Sequence, residues 1–353
     1  MAKYISALQR IEAMFQSAIE ISKKYEIIMV TSNENHTDNT NDYSDNSVKS
    51  EFFSDQEQNL IRQTLENIGF KVKQFFNEED FISFISNPRE NLSKYIVLNS
   101  AQKGTKIGRK SLIPSLCDLY SVKYIGSNPY IVSLCRDKYR TSCILKQHGI
   151  STPQAWLYDA RYGWLNGSPE NFKYPLIIKP NYESSSIGID ENNIGYYDSH
   201  FFNKVKEMSS CYRQEILLEE FIKGFEAETP VISCKDSLGF FPVGINLDFE
   251  PYMGDRILNY NNRSIDNYTF FDFSEKFPEL SHELLKTAYK VIKLLSIIGF
   301  GRVDFRIKSN KMFYITDIST NPHYTLKSSY HFIFEQLGLD YKYLIACLIA
   351  SSF

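Results

Sequence analysis

"GRVDFRIKSNKMFYITDIST", residues 301–320, decides how this chain is read. Val303, Phe305 and Ile307 alternate with Arg302, Asp304, Arg306 and Lys308, the two-residue period of a half-buried strand. A second alternating run, Phe313, Ile315, Asp317 and Ser319, follows the polar turn Ser309-Asn310-Lys311. A loop from Ser309 to Met312 would pair Lys308 with Phe313 and set Asp304 directly opposite Asp317. Like charges facing each other across strands destabilise a hairpin by up to about 1 kcal/mol. Paired oxygens in a half-buried site are also what a Mg²⁺ ion bridging phosphates requires. The competing reading is an ion lattice in which Arg302 and Arg306, on the same strand face as Asp304, neutralise both aspartates.

Two upstream stretches carry related chemistry. In "YPLIIKPNYESSSIGI" (174–189) an apolar strand delivers Lys179, Pro180 stops the ladder, and a Ser-rich turn with Glu183 ends at Gly188. Ser184, Ser185 and Ser186 offer hydroxyls and backbone amides that can cradle phosphate oxygens. The bland reading is a lysine snorkelling to solvent beside a flexible turn. In "LLEEFIKGFE" (217–226) Glu219 and Glu226 flank a strand-to-turn break at Lys223-Gly224. Backbone at a strand end can read the edge of a base, and a carboxylate just beyond can accept ribose hydroxyls. Exposed strand-end glutamates are the alternative.

Around these stretches the chain alternates helix and strand signals. An amphipathic helix carrying Tyr4, Leu8, Ile11, Phe15 and Ile19 precedes a short apolar strand, residues 26–30. A stretch of mostly Asn, Asp, Ser and Thr follows at 31–50. It reads as a loop at the carboxyl edge of the first strand, where ligands bind in open α/β sheets, or as a solvated insertion without a role. A helix over about 55–68 ends at Gly69, strands "KVKQF" and "YIVLN" follow, then a helix near 110–120 and "KYIGS". This βαβ pattern predicts a mostly parallel sheet. A helix over 137–149 closes at Gly149. From about 155, strands "AWLY", "PLIIKP", "EILLEEFI", "TPVIS" and "FPVGINLDF" come in close succession with a helix near 199–209, which predicts an antiparallel sheet with a helix on one face. Helices over 280–298 and 339–350 complete the reading.

With 353 residues, 43% hydrophobic and 23% charged, the chain is long enough for two or three domains. A net charge of -3, with no long Lys/Arg segment, argues against a nucleic-acid partner. The six cysteines form no CxxC pair and no Cys/His ligand spacing, so a reducing cytoplasm is the expected compartment. No signal-peptide core or membrane-length apolar run is present, so no membrane partner is expected. Neither a GxxxxGK loop nor a GxGxxG after the first strand occurs, which excludes a Walker A site and argues against a dinucleotide oxidoreductase.

Together and in this order, the segments resemble the ATP-grasp carboxylate–amine ligases, most closely the D-alanine–D-alanine ligases. "YIGSNPYIVSLCRDKYRTSCILKQHGISTP" is similar to the family's passage into its central domain, and "PLIIKPNYESSSIG" to its serine loop. "LLEEFIKGFE" resembles its adenine and ribose segment, and "GRVDFRIKSNKMFYITDISTNPHYT" its metal hairpin. The resemblance implies an α/β ATP-grasp fold. An N-terminal open parallel α/β domain (1–128) would precede two α+β ATP-grasp subdomains, central (129–222) and C-terminal (223–353). ATP and Mg²⁺ are the implied cofactors, small amino acids or peptides the substrates, and a homodimer the implied assembly. Lys138 and Lys179 would hold phosphates, and Glu183, Ser184, Ser185 and Ser186 would form the serine loop by the reacting groups. Glu219, with backbone near Phe221 and Ile222, would face adenine, and Glu226 the ribose. Asp304 and Asp317, with Ser319, would hold metal, and Arg302 the tetrahedral oxyanion. Ser328 would meet the second substrate's carboxylate.

The departures from the family pattern concern the amino-acid half. Asp317-Ile318-Ser319 stands where Glu-x-Asn is usual, and Pro322-His323 where Pro-Gly is usual. Glu51 is the nearest counterpart of the family's ammonium-anchoring glutamate, and Arg263 and Tyr268 correspond loosely to its mobile Lys-Tyr loop. The expected function is therefore ATP-dependent amide formation through an acyl phosphate, with substrates altered from the D-alanine pair. The alternatives are a genuine D-alanine–D-alanine ligase of cell-wall synthesis and a nucleotide-binding homologue with weakened catalysis.

Overall fold

The computed structural model describes residues 5–32, 48–234, 237–264 and 267–353. Most of the Asn/Asp-rich stretch lies outside them. The chain begins with α1 (Ile5–Ser22) and β1 (Glu26–Val30), then α2 (Asp55–Ile68), β2 (Val72–Phe75), α3 (Glu78–Ser86), β3 (Tyr95–Asn99), α4 (Leu112–Leu119) and β4 (Lys123–Tyr124). These strands pair in parallel in the order β2-β1-β3-β4. Local sequence sets the limits of α2. Ser54 and Glu57 close a reciprocal capping box at its start, and Gly69, at φ 115°, accepts the left-handed turn at its end. The helix α3 was not anticipated; Asn77 caps it and three acidic residues fill its first turn.

Two helices lead on, α5 (Pro129–Arg136) and α6 (Lys138–Gln147), with Asp137 capping α6. Next come β5 (Ala155–Asp159), β6 (Gly163–Trp164), β7 (Leu176–Pro180), β8 (Ile194–Gly195), α7 (Ser199–Tyr212) and β9 (Ile216–Glu220). They form an antiparallel sheet, β6-β5-β9-β7-β8, whose Leu176, Ile178, Ile216 and Leu218 pack with Val205 and Met208 of α7.

The remainder comprises β10 (Gly224–Ser233), β11 (Leu238–Gly239), β12 (Val243–Leu247), β13 (Tyr252–Gly254), α8 (Tyr260–Ser264), β14 (Tyr268–Asp272), α9 (Phe273–Lys276), α10 (Pro278–Leu294), β15 (Gly299–Ile307), β16 (Phe313–Ser319), α11 (Ser329–Gln336) and α12 (Tyr341–Ala350). Its antiparallel sheet runs β14-β12-β10-β15-β16, with β11 and β13 also on β10. The single antiparallel sheet expected from residue 155 onward is thus two sheets, because the chain breaks at Lys223-Gly224. One face of the second sheet, with Val303, Phe305 and Ile307, buries against Leu284, Ala288 and Val291 of α10. The helix α12, apolar on nearly every side, packs back between α1 and α2 of the first domain.

The opening hairpin departs from expectation in an instructive way. Ile307 pairs with Phe313, Arg306 with Tyr314 and Phe305 with Ile315, one residue tighter than anticipated, so the Lys308–Phe313 pair does not form. Lys308 N instead donates to Met312 O (2.8 Å), and Lys311 turns the chain at φ 68°. A bulge at Thr316 then absorbs the missing residue, so that Asp304 does stand opposite Asp317. The bulge also switches the strand's phase. Ile315 and Ile318 both reach the core, and Asp317 shares the outer face with Asp304.

Candidate active site

The outer faces of the two antiparallel sheets enclose a cleft of about 1480 Å³, counting space open to solvent. Strand ends and one loop bring their functional side chains here. Lys138 opens α6, and Lys179 and Glu219 come from adjacent strands β7 and β9. The serine loop supplies Glu183, Ser184, Ser185 and Ser186, the link between the sheets supplies Phe221 and Ile222, and β10 supplies Glu226. The hairpin contributes Arg302, Asp304, Asp317 and Ser319, and the turn after it His323. All of these line the cleft. Ser185 and Ser186 both hold left-handed backbone, φ 53° and 57°, which side-chain-bearing residues adopt rarely.

Register places three carboxylates in a row across the second sheet. Glu228 of β10 pairs with Asp304 of β15, which pairs with Asp317 of β16. Sequence reading missed Glu228, although its spacing of two from Glu226 already put both on one face. Arg302 binds Asp304 through two hydrogen bonds of 2.7 Å and stands 3.1 Å from Glu228, while Lys138 lies 3.5 Å from Asp317. Burial pushes Asp304 upward, Glu228 and Asp317 push it the same way, and Arg302 opposes them. The ion lattice weighed as an alternative is therefore present in part. Arg302 answers one aspartate, but Arg306 turns away to Glu226 (3.0 Å) and to Ile222 O (2.9 Å).

Among the described residues no three His, Cys, Asp or Glu side chains converge as a metal cage. Magnesium does not demand one, since it is commonly held by one or two carboxylates and completed by phosphate oxygens. Three carboxylates against Arg302 and Lys138 leave one negative charge in excess, and their hard oxygens fit Mg²⁺.

The opposite side of the cleft is charged as well. Lys179 is buried and sits 2.5 Å from Glu219, which lies diagonally from it across the β7–β9 ladder. Lys138 Nζ donates to the carbonyl of Glu183. The Glu183 carboxylate itself faces away from this cation. It accepts two hydrogen bonds from Arg109 (3.1 and 2.7 Å) and one from Gln214 (2.9 Å). Burial raises it, but Arg109 and Arg136 outweigh burial and hold it below the ordinary range.

Glu51 lies in a second cavity at the carboxyl edge of the parallel sheet and reaches the serine loop, accepting from Ser184 Oγ (2.6 Å). Lys110 stands 2.9 Å from its other oxygen. Burial raises Glu51, yet Lys110, Arg136 and Arg109 keep it well below the ordinary carboxylate range. Burial in turn brings the Lys110 ammonium down to about 8, with Glu51 opposing. Arg109, Lys110 and Arg136 were not singled out in the sequence; their partners are remote along the chain.

Two further sequence candidates line neither cavity. Tyr268 packs with Leu247, Met253 and Leu258 at the start of β14. Ser328 caps α11, accepting from His331 N (3.1 Å) and donating to Thr325 O (2.7 Å). The Arg263 side chain lies outside the described residues. No helix among those described is long and apolar enough to cross a membrane.

Comparison with known proteins places this architecture. The D-alanine–D-alanine ligase of Acetivibrio thermocellus is 31% identical over 255 residues, 69% of this chain and 64% of that protein. That of Wigglesworthia glossinidia brevipalpis is 29% identical over 269 residues, 75% of this chain and 74% of its own length. The fold is shared with the D-alanine–D-alanine ligase of Bacillus anthracis solved with ATP, at a TM-score of 0.70 and 18% identity over 93% of this chain and 97% of that one. It is also shared with the VanG D-Ala:D-Ser ligase of Enterococcus faecalis, at a TM-score of 0.64 and 16% identity over 94% of this chain and 100% of that one. The family model for the D-ala D-ala ligase C-terminus matches residues 147–350, more than half of the chain. An ATP-grasp fold with this cleft, matched over that span, means that the chain belongs to the D-alanine–D-alanine ligase family.

Proposed function

We propose that the protein is an ATP-dependent ligase that joins small amino acids or peptides through an acyl phosphate, with substrates altered from a D-alanine pair. The observation that carries this reading is the row Glu228–Asp304–Asp317 facing Lys138 and Lys179 across one cleft. ATP's γ-phosphoryl would pass to a substrate carboxylate, an amine would attack the acyl phosphate, and phosphate would leave. Such transfers need positioning and charge neutralisation rather than covalent help from the protein.

Each residue has a corresponding role. Lys138 and Lys179 neutralise phosphate oxygens. Phe221 and Ile222 wall the adenine, beside Glu219, and Glu226 meets the ribose. Asp304 and Asp317, with Ser319 alongside, would hold Mg²⁺, which supplies further neutralisation of phosphate charge. Arg302 lies next to the metal ligands, where it can stabilise a tetrahedral oxyanion. The serine loop, pinned from behind by Arg109 and Glu51, keeps water from the acyl phosphate. Free cysteines in the described part of the chain suit a reducing cytoplasm.

Altered substrates are supported by His323, which lines both cavities and whose ring centroid lies 5.4 Å from that of Phe53. The names of the relatives favour a second reading, in which both substrates are D-alanine. Phosphate release with ATP, Mg²⁺ and a panel of D- and L-amino acids separates them. The best mixed pair is expected to outpace D-alanine alone, and equal rates would favour the second reading. In either case Asp304→Asn is expected to lower amine-dependent phosphate release by about a hundredfold or more. Near wild-type turnover in that variant would defeat the proposed role of Asp304.

A further inference from the structure

Where the parallel-sheet domain meets the serine loop, five charged side chains are packed together: Arg109, Lys110 and Arg136 against Glu51 and Glu183. All but Lys110 are buried, and Lys110 exposes only 16% of its side chain. Among the described residues, three positive charges face these two negative ones. Arg109 gives Glu183 two hydrogen bonds, and Lys110 ion-pairs with Glu51 (2.9 Å) and donates to Ser184 Oγ (3.1 Å).

Arg136 is arranged differently. It donates to Tyr182 O, but the nearest oxygens of Glu51 and Glu183 stand 4.0 and 3.9 Å from its terminal nitrogens, beyond hydrogen-bond range. Its Nε is buried with no acceptor. A guanidinium offers its donors in a fixed fork that matches an oxyanion, and burying one incompletely paired is unfavourable.

The position of the cluster indicates what would pair it. Arg136 lines the main cleft, Glu51 lines the second cavity, and Lys110 lines both. Thr320, Asn321 and His323 are likewise common to the two, so the excess positive charge sits at their junction. The excess negative charge lies at the Glu228–Asp304–Asp317 row, whose Asp317 is within electrostatic reach of Arg136, and a divalent cation would answer it there. The junction is left needing an anion.

We propose that Lys110 and Arg136 form a subsite for a carboxylate on the substrate additional to the one that reacts, so that the ligase takes an acidic amino acid or a peptide bearing a free side-chain carboxylate. This rests on the ligase reading above for the identity of the substrate, but not for the binding of the anion. An oxyanion of ATP is the other source of the same chemistry, and the experiment distinguishes the two.

The test is calorimetric binding to the full chain with Mg²⁺ and a non-hydrolysable ATP analogue. Glutamate and aspartate are compared with glutamine and asparagine, in both enantiomers. At least one acid is expected to bind about tenfold or more tighter than its isosteric amide, and Arg136→Gln is expected to bring that ratio to about one. Arg136→Lys, which keeps the charge without the fork, is expected to fall between them, with thermal melting as the check on folding. Equal binding of acid and amide by the wild type, or binding of neither, overturns the proposal. So does an Arg136→Gln variant that weakens the ATP analogue while leaving the acid/amide ratio intact, which would assign the subsite to phosphate. If Arg136→Gln does not fold, the wild-type ratio decides. Acid preference without phosphate release from any substrate would sustain the subsite and sink the ligase reading instead.

Discussion

Glu183 shows how a residue's role depends on partners that lie far away in the chain. By sequence it belongs beside the reacting groups, between Lys179 and three serines. In the fold its carboxylate is spent on Arg109, 74 residues away, and on Gln214. It therefore acts as the peg that holds the serine loop against the first domain. Removing its charge would take from the buried Arg109 its two closest carboxylate contacts and leave the Glu51 carboxylate at 3.8 Å. Glu183→Gln is expected to lower unfolding free energy by about 3 kcal/mol, measured by urea titration. A loss below about 1 kcal/mol, typical of a surface pair, would contradict that role. The residues legible in the sequence, Lys179, Asp304 and Asp317, announce themselves by alternation within one strand. Arg109 and Arg136 do not, because nothing within a turn of either reveals a carboxylate opposite.

At the scale of elements, the joint between the two antiparallel sheets is decided by one glycine. Gly224 opens β10 at φ 152°, and a Cβ there would lie 1.8 Å from the backbone oxygen of Ile307 in β15. That oxygen belongs to the sheet and cannot swing aside as a flexible side chain would. Gly224→Ala is expected to destabilise the protein by about 3 kcal/mol in denaturant unfolding. An unchanged midpoint would mean that the joint is looser than its geometry implies. The neighbouring hairpin teaches a related lesson. The Asp304–Asp317 pairing was legible, but the route to it was not. A tighter turn and a bulge at Thr316 give the same pairing as a longer loop without a bulge, and the core position of Ile315, opposite Phe305, distinguishes them.

Across the whole molecule, the parallel-sheet part of the chain meets the antiparallel sheets and their helices at several places, among them α12 packed against α1 and α2, and the ion cluster at the serine loop. The cluster is sensitive to acid. Glu51 has a folded-state pKa well below its ordinary 4.5, so its stabilisation is complete above that value and is lost as pH falls through the lower one. Between the two values the unfolded chain binds the extra proton, and stability declines with acid by up to about 1.4 kcal/mol per pH unit for this group. Glu51→Gln is expected to flatten the dependence of stability on pH below 4.5 by about that slope, read from urea titrations at successive pH values. An unaltered slope would show that the cluster does not couple the two bodies.

The sequence by itself determined most of the succession of elements, α3 excepted, and the serine-loop and hairpin residues that line the cleft. Strand alternation, helix caps and turn glycines are written in neighbouring positions, and the serine loop and hairpin each bring their chemistry within one short segment. Tertiary structure alone decided which charges meet. It set Glu228 beside Asp304, Arg109 against Glu183, and Lys110 and Arg136 at the junction of two cavities, while taking Tyr268 and Ser328 away from the cleft. The physical reason is range. Backbone conformation responds to side chains a few residues apart, whereas the pairing of buried charges depends on which distant segments the packed cores bring into contact.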